Sequence, residues 1–269
     1  MRRSKNKKGF TLVELSLSIA FIGILSITVA LIINDAIAAY RRGLTLNQIN
    51  TVGMDLVDDI RTAVQNSPAK DIEDVCKNGP NSEEISKCKR SFGYTAEKKS
   101  AKVNGRDGVP IYGVFCTGSY SYIWNSGYLF SDDASIDGGG GINLKGVEMT
   151  RLLKVEDTKK SVCRAAVNMS SNGGEIEAEG TKDSAMLLSD DSANSLALYD
   201  FDVAAPVFNG QNAAFYSMSF ILGTIKGGIN VMSSGNFCKA PESNDVAENF
   251  DYCAINKFNF AAQANGRKK

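Results

Sequence analysis

The chain has 269 residues, 30 basic and 30 acidic side chains, no histidine, and a hydrophobic share of 43%. That length holds one anchored segment and a globular domain of roughly 200 residues, large enough to bury a core without help from a metal. Without histidine, the usual general base and the Ser-His-Asp and Cys-His arrangements are excluded; no P-loop or G-x-S-x-G elbow occurs either, so no enzyme activity and no cofactor are expected.

The formal balance of zero hides an asymmetry. Arg2, Arg3, Lys5, Lys7 and Lys8 precede Gly9 with no acidic residue among them. From Phe10 to Ile33 the sequence FTLVELSLSIAFIGILSITVALII runs 24 residues with one charge, Glu14. As a helix it measures about 36 Å, enough for a hydrocarbon core of about 30 Å. The charge order puts residues 1–8 in the cytoplasm and the remainder outside. A secretory signal has a shorter apolar run followed by a small-residue cleavage site, whereas here the small residue, Gly9, comes first. A plain signal anchor shares the hydropathy but gives no account of Glu14, because a carboxylate within a bilayer helix is costly and is kept mainly where it has a partner or a function.

The segment KGFTLVEL, with Gly9 before Phe10 and a glutamate four residues on, resembles the class III signal of type IV prepilins. The resemblance is close from Lys7 to about Ile33 and architectural beyond. It implies that a membrane prepilin peptidase and methyltransferase cuts after Gly9 and N-methylates Phe10, and that Glu14 pairs with the Phe10 amine of a neighbouring subunit to set the stagger of assembly. It also implies partners: other pilin subunits through the helix, an inner-membrane assembly platform, and membrane lipid before assembly. Loss of residues 1–9 leaves 25 basic against 30 acidic side chains, so the mature chain has no general attraction for nucleic acid or anionic lipid.

Past Ile33, apolar residues recur at Ile37, Tyr40, Leu44, Ile49, Val52, Leu56, Ile60 and Val64, which predicts an amphipathic continuation over residues 34–66 stopped by Ser67-Pro68. Gly43 and Gly53 are candidate weak points in it. A helix half in the membrane and half on a sheet resembles the long N-terminal helix of pilins. The lack of a proline between Phe10 and Ser67, the chain length and LVDDIRTAV resemble the larger minor pilins and minor pseudopilins.

Residues 67–269 are expected to form an exported α+β head with a mainly antiparallel sheet on the helix. The polar stretch 71–108 reads as an irregular connector. Strands are predicted over 111–117, 119–130, 147–155, 161–167, 196–203, 215–224 and 228–232, with Tyr216, Met218, Phe220 and Leu222 facing a core. Tyr120, Tyr122 and Trp124 alternate as a core stripe would, or as a platform for carbohydrate or single-stranded DNA. Asp58-Asp59 and Glu83-Glu84 read as solvated faces.

Six cysteines, Cys76, Cys88, Cys116, Cys163, Cys238 and Cys253, all follow the apolar segment, where disulfides persist. No CxxC pair occurs, which argues against zinc. Six thiols allow 15 connectivities; the local pairs Cys76 with Cys88 and Cys238 with Cys253 are preferred. The second pair bounds an acidic, loop-like stretch and resembles the disulfide-bounded C-terminal region of pilins. Asp132, Asp133 and Asp137 before four glycines form a weak calcium candidate that misses the full calcium-loop spacing, and a surface loop is the simpler reading.

The resemblance leaves three roles open: a minor pilin that joins or initiates a filament, a pseudopilin of a type II secretion system with a periplasmic filament, or a tip adhesin or DNA-uptake receptor delivered by assembly, with a surface or DNA ligand. All three imply a single-pass membrane protein before assembly.

Overall fold

A computed structural model of the chain describes residues 11–67, 96–131, 134–167, 169, 172–177, 184–188, 196–204, 207–208, 214–225, 238 and 253–264. The architecture is α+β: one long N-terminal helix and a head built mainly of antiparallel strands. Helix α1, Leu12–Gln65, runs 54 residues without interruption, about 81 Å. Its start is fixed by a capping box at Thr11 and Glu14. At its end, Asn66 N donates to Thr62 O, Ser67 N donates to Val64 O and Ser67 Oγ donates to Ala63 O at 2.7 Å, so three of the last four carbonyls are satisfied.

The first sheet orders its strands β4 (Ile136–Asp137), β1 (Ala96–Val103), β2 (Arg106–Cys116), β3 (Tyr120–Asn125), β6 (Leu152–Glu156) and β8 (Ser184–Leu188). The second places β9 (Leu196–Val203) and β10 (Val207–Phe208) in tandem along one edge of β11 (Ala214–Thr224), with β12 (Ile255–Ala264) along the other. A small parallel pair joins β5 (Ile142–Leu144) to β7 (Gly174–Ile176). Strand alternation in the first sheet separates two cores. Phe115, Tyr122, Trp124 and Leu152 join Ile49, Leu56, Ile60 and Val64 of α1 and the inner face of the second sheet. Val114, Ile123, Leu153 and Val155 point the other way and are covered by the short helix α2, Ser161–Val167, and by β5 and β7.

Within the first core Tyr216, Met218, Phe220 and Leu222 are all buried, as their alternation predicts. Phe220 stacks on Phe258 at 5.0 Å and on Phe201 at 6.3 Å between ring centroids. Several of the expected elements differ: of the strand expected over 119–130 only Tyr120–Asn125 is strand, and Gly127–Phe130 is a 3-10 helix. Residues 161–167 read as a strand from Val162, Cys163 and Val167, but they form α2 because Asp157 caps it: its carboxylate accepts from Cys163 N at 2.9 Å and Val162 N at 3.4 Å. Residues 96–103, placed in an irregular connector, form β1, paired with β2. The expected strand at 228–232 lies outside the described residues.

Two disulfides are described. Cys116–Cys163 ties the end of β2 to α2 with both residues fully buried, and Cys238–Cys253 closes the segment before β12. By loop length, 47 residues for the first and 15 for the second, they contribute about 4 and about 3 kcal/mol in the chain-entropy account. Cys76 and Cys88 lie outside the described residues.

Candidate functional site

The segment that sets this protein apart from an ordinary head domain is the first half of α1. From Thr11 to Ile37 every residue is exposed, and the large apolar side chains there are 44–84% accessible. By length and composition this stretch is sufficient to cross a membrane. An apolar surface of this extent on a water-exposed helix is far beyond the patches that monomeric proteins tolerate, so it belongs against lipid or against other helices.

Glu14 is the only charged residue between Thr11 and Ile33. Its carboxylate accepts from Thr11 N at 3.0 Å and from Thr11 Oγ1 at 2.9 Å, while Glu14 N donates back to Thr11 Oγ1 at 3.3 Å. The carboxylate is thus folded back along the first turn, toward the N-terminus and the positive end of the helix dipole. Thr11 was not singled out from sequence, although T-x-x-E ahead of an apolar run is a recognisable helix-start pattern. The arrangement offers two distinct roles for Glu14, a local cap and a displayed negative charge, and the two are separable by substitution.

The second half of α1 is held by the head. Its buried face is Thr45, Ile49, Gly53, Leu56, Val57, Ile60, Ala63 and Val64; the earlier members of the predicted stripe, Ile37, Tyr40 and Leu44, lie beyond the head and stay exposed. Gly53, read as a weak point, serves close approach instead: a Cβ there would sit 2.1 Å from Cζ of Phe258. Gly43 has open space around it.

Polar contacts lock the helix in place. Asp59 accepts from Tyr122 Oη at 2.8 Å and from Lys154 Nζ at 2.6 Å, so this carboxylate is a clamp on β3 and β6 and not a solvated face. Burial, with Asp59 alongside, pushes the Tyr122 hydroxyl well above the usual phenol range. Lys154 also lies 4.4 Å over the ring of Tyr120. Tyr122 and Trp124 are fully buried, which makes the aromatic row a core stripe and removes those two as a binding platform.

At the helix end Gly118 N donates to Ser67 Oγ at 2.7 Å, joining α1 to the turn between β2 and β3. Lys160 Nζ donates to the carbonyls of Thr117 and Gly118 in that same turn. Burial lowers the Lys160 ammonium to about 8, against the opposing charge of Asp157. Between pH about 8 and 10.5 the unfolded chain holds a proton that the folded chain has released, so stability contributed by this group rises with pH across that window. Melting curves of the full chain in detergent are expected to show the wild type gaining on a Lys160→Met variant from pH 7.5 to 10; parallel curves contradict a lowered value.

Only one residue of the calcium candidate, Asp137, falls within the described residues. Asp132 and Asp133 lie outside the described residues, while Asp137 is exposed on β4 opposite Lys102 of β1. Among the described residues no group of three or more carboxylates or thiols converges on a point that suits a metal ion. Of the four glycines that follow, Gly139, Gly140 and Gly141 are sites of close approach, while Gly138, at φ +70°, has open space around it. A Cβ on Gly140 would meet Asn172 O at 2.7 Å, and Gly173, at φ +74°, lies against the backbone of Gly140 and Gly141. Asn125 secures the same region, donating to Ile142 O and Thr150 O and accepting from Ile142 N, all within 2.8 Å.

Gly9 and Phe10 lie outside the described residues. Compared with family models, with curated proteins and with solved structures, the chain matches none.

Proposed function

We propose that this chain is a subunit of a type IV pilus-type filament, made as a precursor, cleaved between Gly9 and Phe10 and assembled through the exposed half of α1. The observation that carries the reading is the division of α1: one continuous helix whose first half is bare and apolar apart from Glu14, and whose second half is clamped to an antiparallel head. A signal anchor needs only the first half. A helix that must be extracted from lipid into a bundle, carrying a folded head with it, also needs the rigid continuation and the clamp. The basic residues before Gly9 support a cytoplasmic N-terminus, and the two described disulfides suit an exported head. The length of the chain and the proline-free helix favour a minor subunit that joins or initiates the filament.

Shearing of cell-surface filaments tests this role. Under the proposal the processed chain is recovered with the sheared fibres, at low abundance relative to the main subunit. Its confinement to the cell envelope, with filaments intact, contradicts a pilus role and leaves the secretion pseudopilin.

A further inference from the structure

Residues 15–34 of α1 hold no charged side chain and are bounded by Glu14 and Asp35. As helix this stretch measures about 30 Å, the thickness of a hydrocarbon core. Its hydroxyls are all spent within the helix: Ser16 Oγ donates to Val13 O at 2.9 Å, and Ser18 Oγ to Glu14 O, Ser26 Oγ to Ile22 O and Thr28 Oγ1 to Leu25 O, each at 2.8 Å. No hydroxyl there is left to call for water or for a polar partner, which suits lipid. At the lower end the Glu14 carboxylate bonds Thr11 N and Thr11 Oγ1. It therefore lies level with Thr11, about 4.5 Å nearer the N-terminus than its own place on the helix. At the upper end Ile37, Tyr40 and Leu44 fall within about 60° of one another around the axis. They are 44%, 68% and 50% exposed, and the head buries nothing of α1 before Thr45.

We propose that in the membrane-held chain the hydrocarbon core begins at Leu15 and ends at Asn34, and that the face formed by Ile37, Tyr40 and Leu44 lies in the headgroup layer of the outer leaflet. This rests on the membrane-anchored precursor of the reading above, and not on the filament. Headgroups bring a bilayer from about 30 Å to about 40–45 Å, so each layer adds roughly 5–7 Å. Tyr40 stands about 7.5 Å beyond Asp35, and a helical side chain of its length leans back toward the N-terminus, which carries its ring into that layer. An apolar ring with a polar tip suits the layer on both counts. A helix tilted by about 20° toward this face lays all three side chains on lipid. The apolar run begins at Phe10, but the hydrocarbon begins one residue after Glu14. Glu14 and Asp35 are then hydrated at opposite surfaces, and neither carries the cost of a charge in hydrocarbon. Glu14 loses its water only when the helix leaves the bilayer, so it needs a partner in the assembled state and not before.

The full chain, reconstituted in vesicles of phosphatidylethanolamine and phosphatidylglycerol made permeable to small reagents, tests this placement. Val13→Cys, Ala20→Cys, Ala30→Cys and Ala36→Cys, introduced singly, are offered a water-soluble maleimide. The described cysteines are all in disulfides, so the wild type is the blank. Positions 13 and 36 are expected to label at least about a hundredfold faster than positions 20 and 30, because a thiol in hydrocarbon is neither ionised nor reached. Val13→Cys as slow as Ala20→Cys puts Glu14 inside the hydrocarbon and overturns the lower boundary; Ala36→Cys as slow as Ala30→Cys overturns the upper one. Positions 20 and 30 as fast as 36 mean that the helix does not span, and the anchored reading itself fails. For the outer face, Tyr40→Trp is read against Trp124, which is fully buried and gives a constant background. Its emission is expected to be quenched by lipid carrying a nitroxide on the headgroup, and less by lipid labelled at the chain end. No response to either lipid means that water or another chain covers this face, and overturns its placement.

Discussion

A chain carrying Glu14→Gln is expected to insert, to be cleaved as the wild type is, and to fall roughly a hundredfold in its yield in filaments. Glutamine can fill the same place in the capping box with Thr11, so the helix start survives while the charge does not. If the Phe10 amine of a neighbour relies on that charge in a low-dielectric bundle, its removal leaves a buried ammonium unpaired, a loss of about 3 kcal/mol or more. Glu14→Ala removes both cap and charge and is expected to show the same assembly defect with a frayed helix start. The comparison separates the two roles that the geometry offers. If glutamine supports normal incorporation and alanine does not, Glu14 is a cap only, and the ion-pair account fails. The readout is the ratio of sheared-fibre protein to membrane protein, measured on cells with equal amounts of processed chain.

The largest effect on folding is expected at Gly53. The ring of Phe258 occupies the space where a Cβ would stand, and that ring is held in a stack with Phe220, so it has little freedom to move aside. Gly53→Val is expected to cost about 3 kcal/mol, the overpacking penalty exceeding the gain from replacing a helical glycine. Gly43→Ala, in open space, is expected to stabilise by about 0.5–1 kcal/mol. In a Phe258→Ala background the penalty at Gly53 shrinks, because the clash and the cavity compensate one another. Chemical unfolding of the detergent-solubilised chain measures all three. A large loss at Gly53 beside a small gain at Gly43 supports close approach; a stabilising Gly53→Ala in the presence of Phe258 would contradict it.

Much of this architecture was legible because apolar spacing survives folding unchanged. The spacing from Ile49 to Val64 marks a helix face that the head then buries, and the alternation from Tyr216 to Leu222 marks the inner face of β11. The failures have local causes. The segment 161–167 carries residues that favour strands, yet an aspartate four residues upstream captures two of its amides and starts a helix. Strand β12 is hard to read because its outer face is Lys257, Asn259 and Ala261 and its inner face ends in Ala262 and Ala264, so only Ile255, Phe258 and Phe260 break a composition that continues the polar stretch before it. Asp59 gave no signal at all. A carboxylate becomes a clamp only when Tyr122 and Lys154, distant in sequence, arrive beside it. The candidate site shows the same division: Glu14 is conspicuous in sequence as a lone charge, whereas its partner Thr11 needs the helix start to be seen as one.

The most direct test of the filament account is the intact mass and N-terminal sequence of the chain recovered from its own membranes. The account predicts a chain that begins at Phe10 and carries one additional methyl group on its amine. A chain that still begins at Met1, or one cut beyond Ile33 and so freed of its apolar helix, would contradict it.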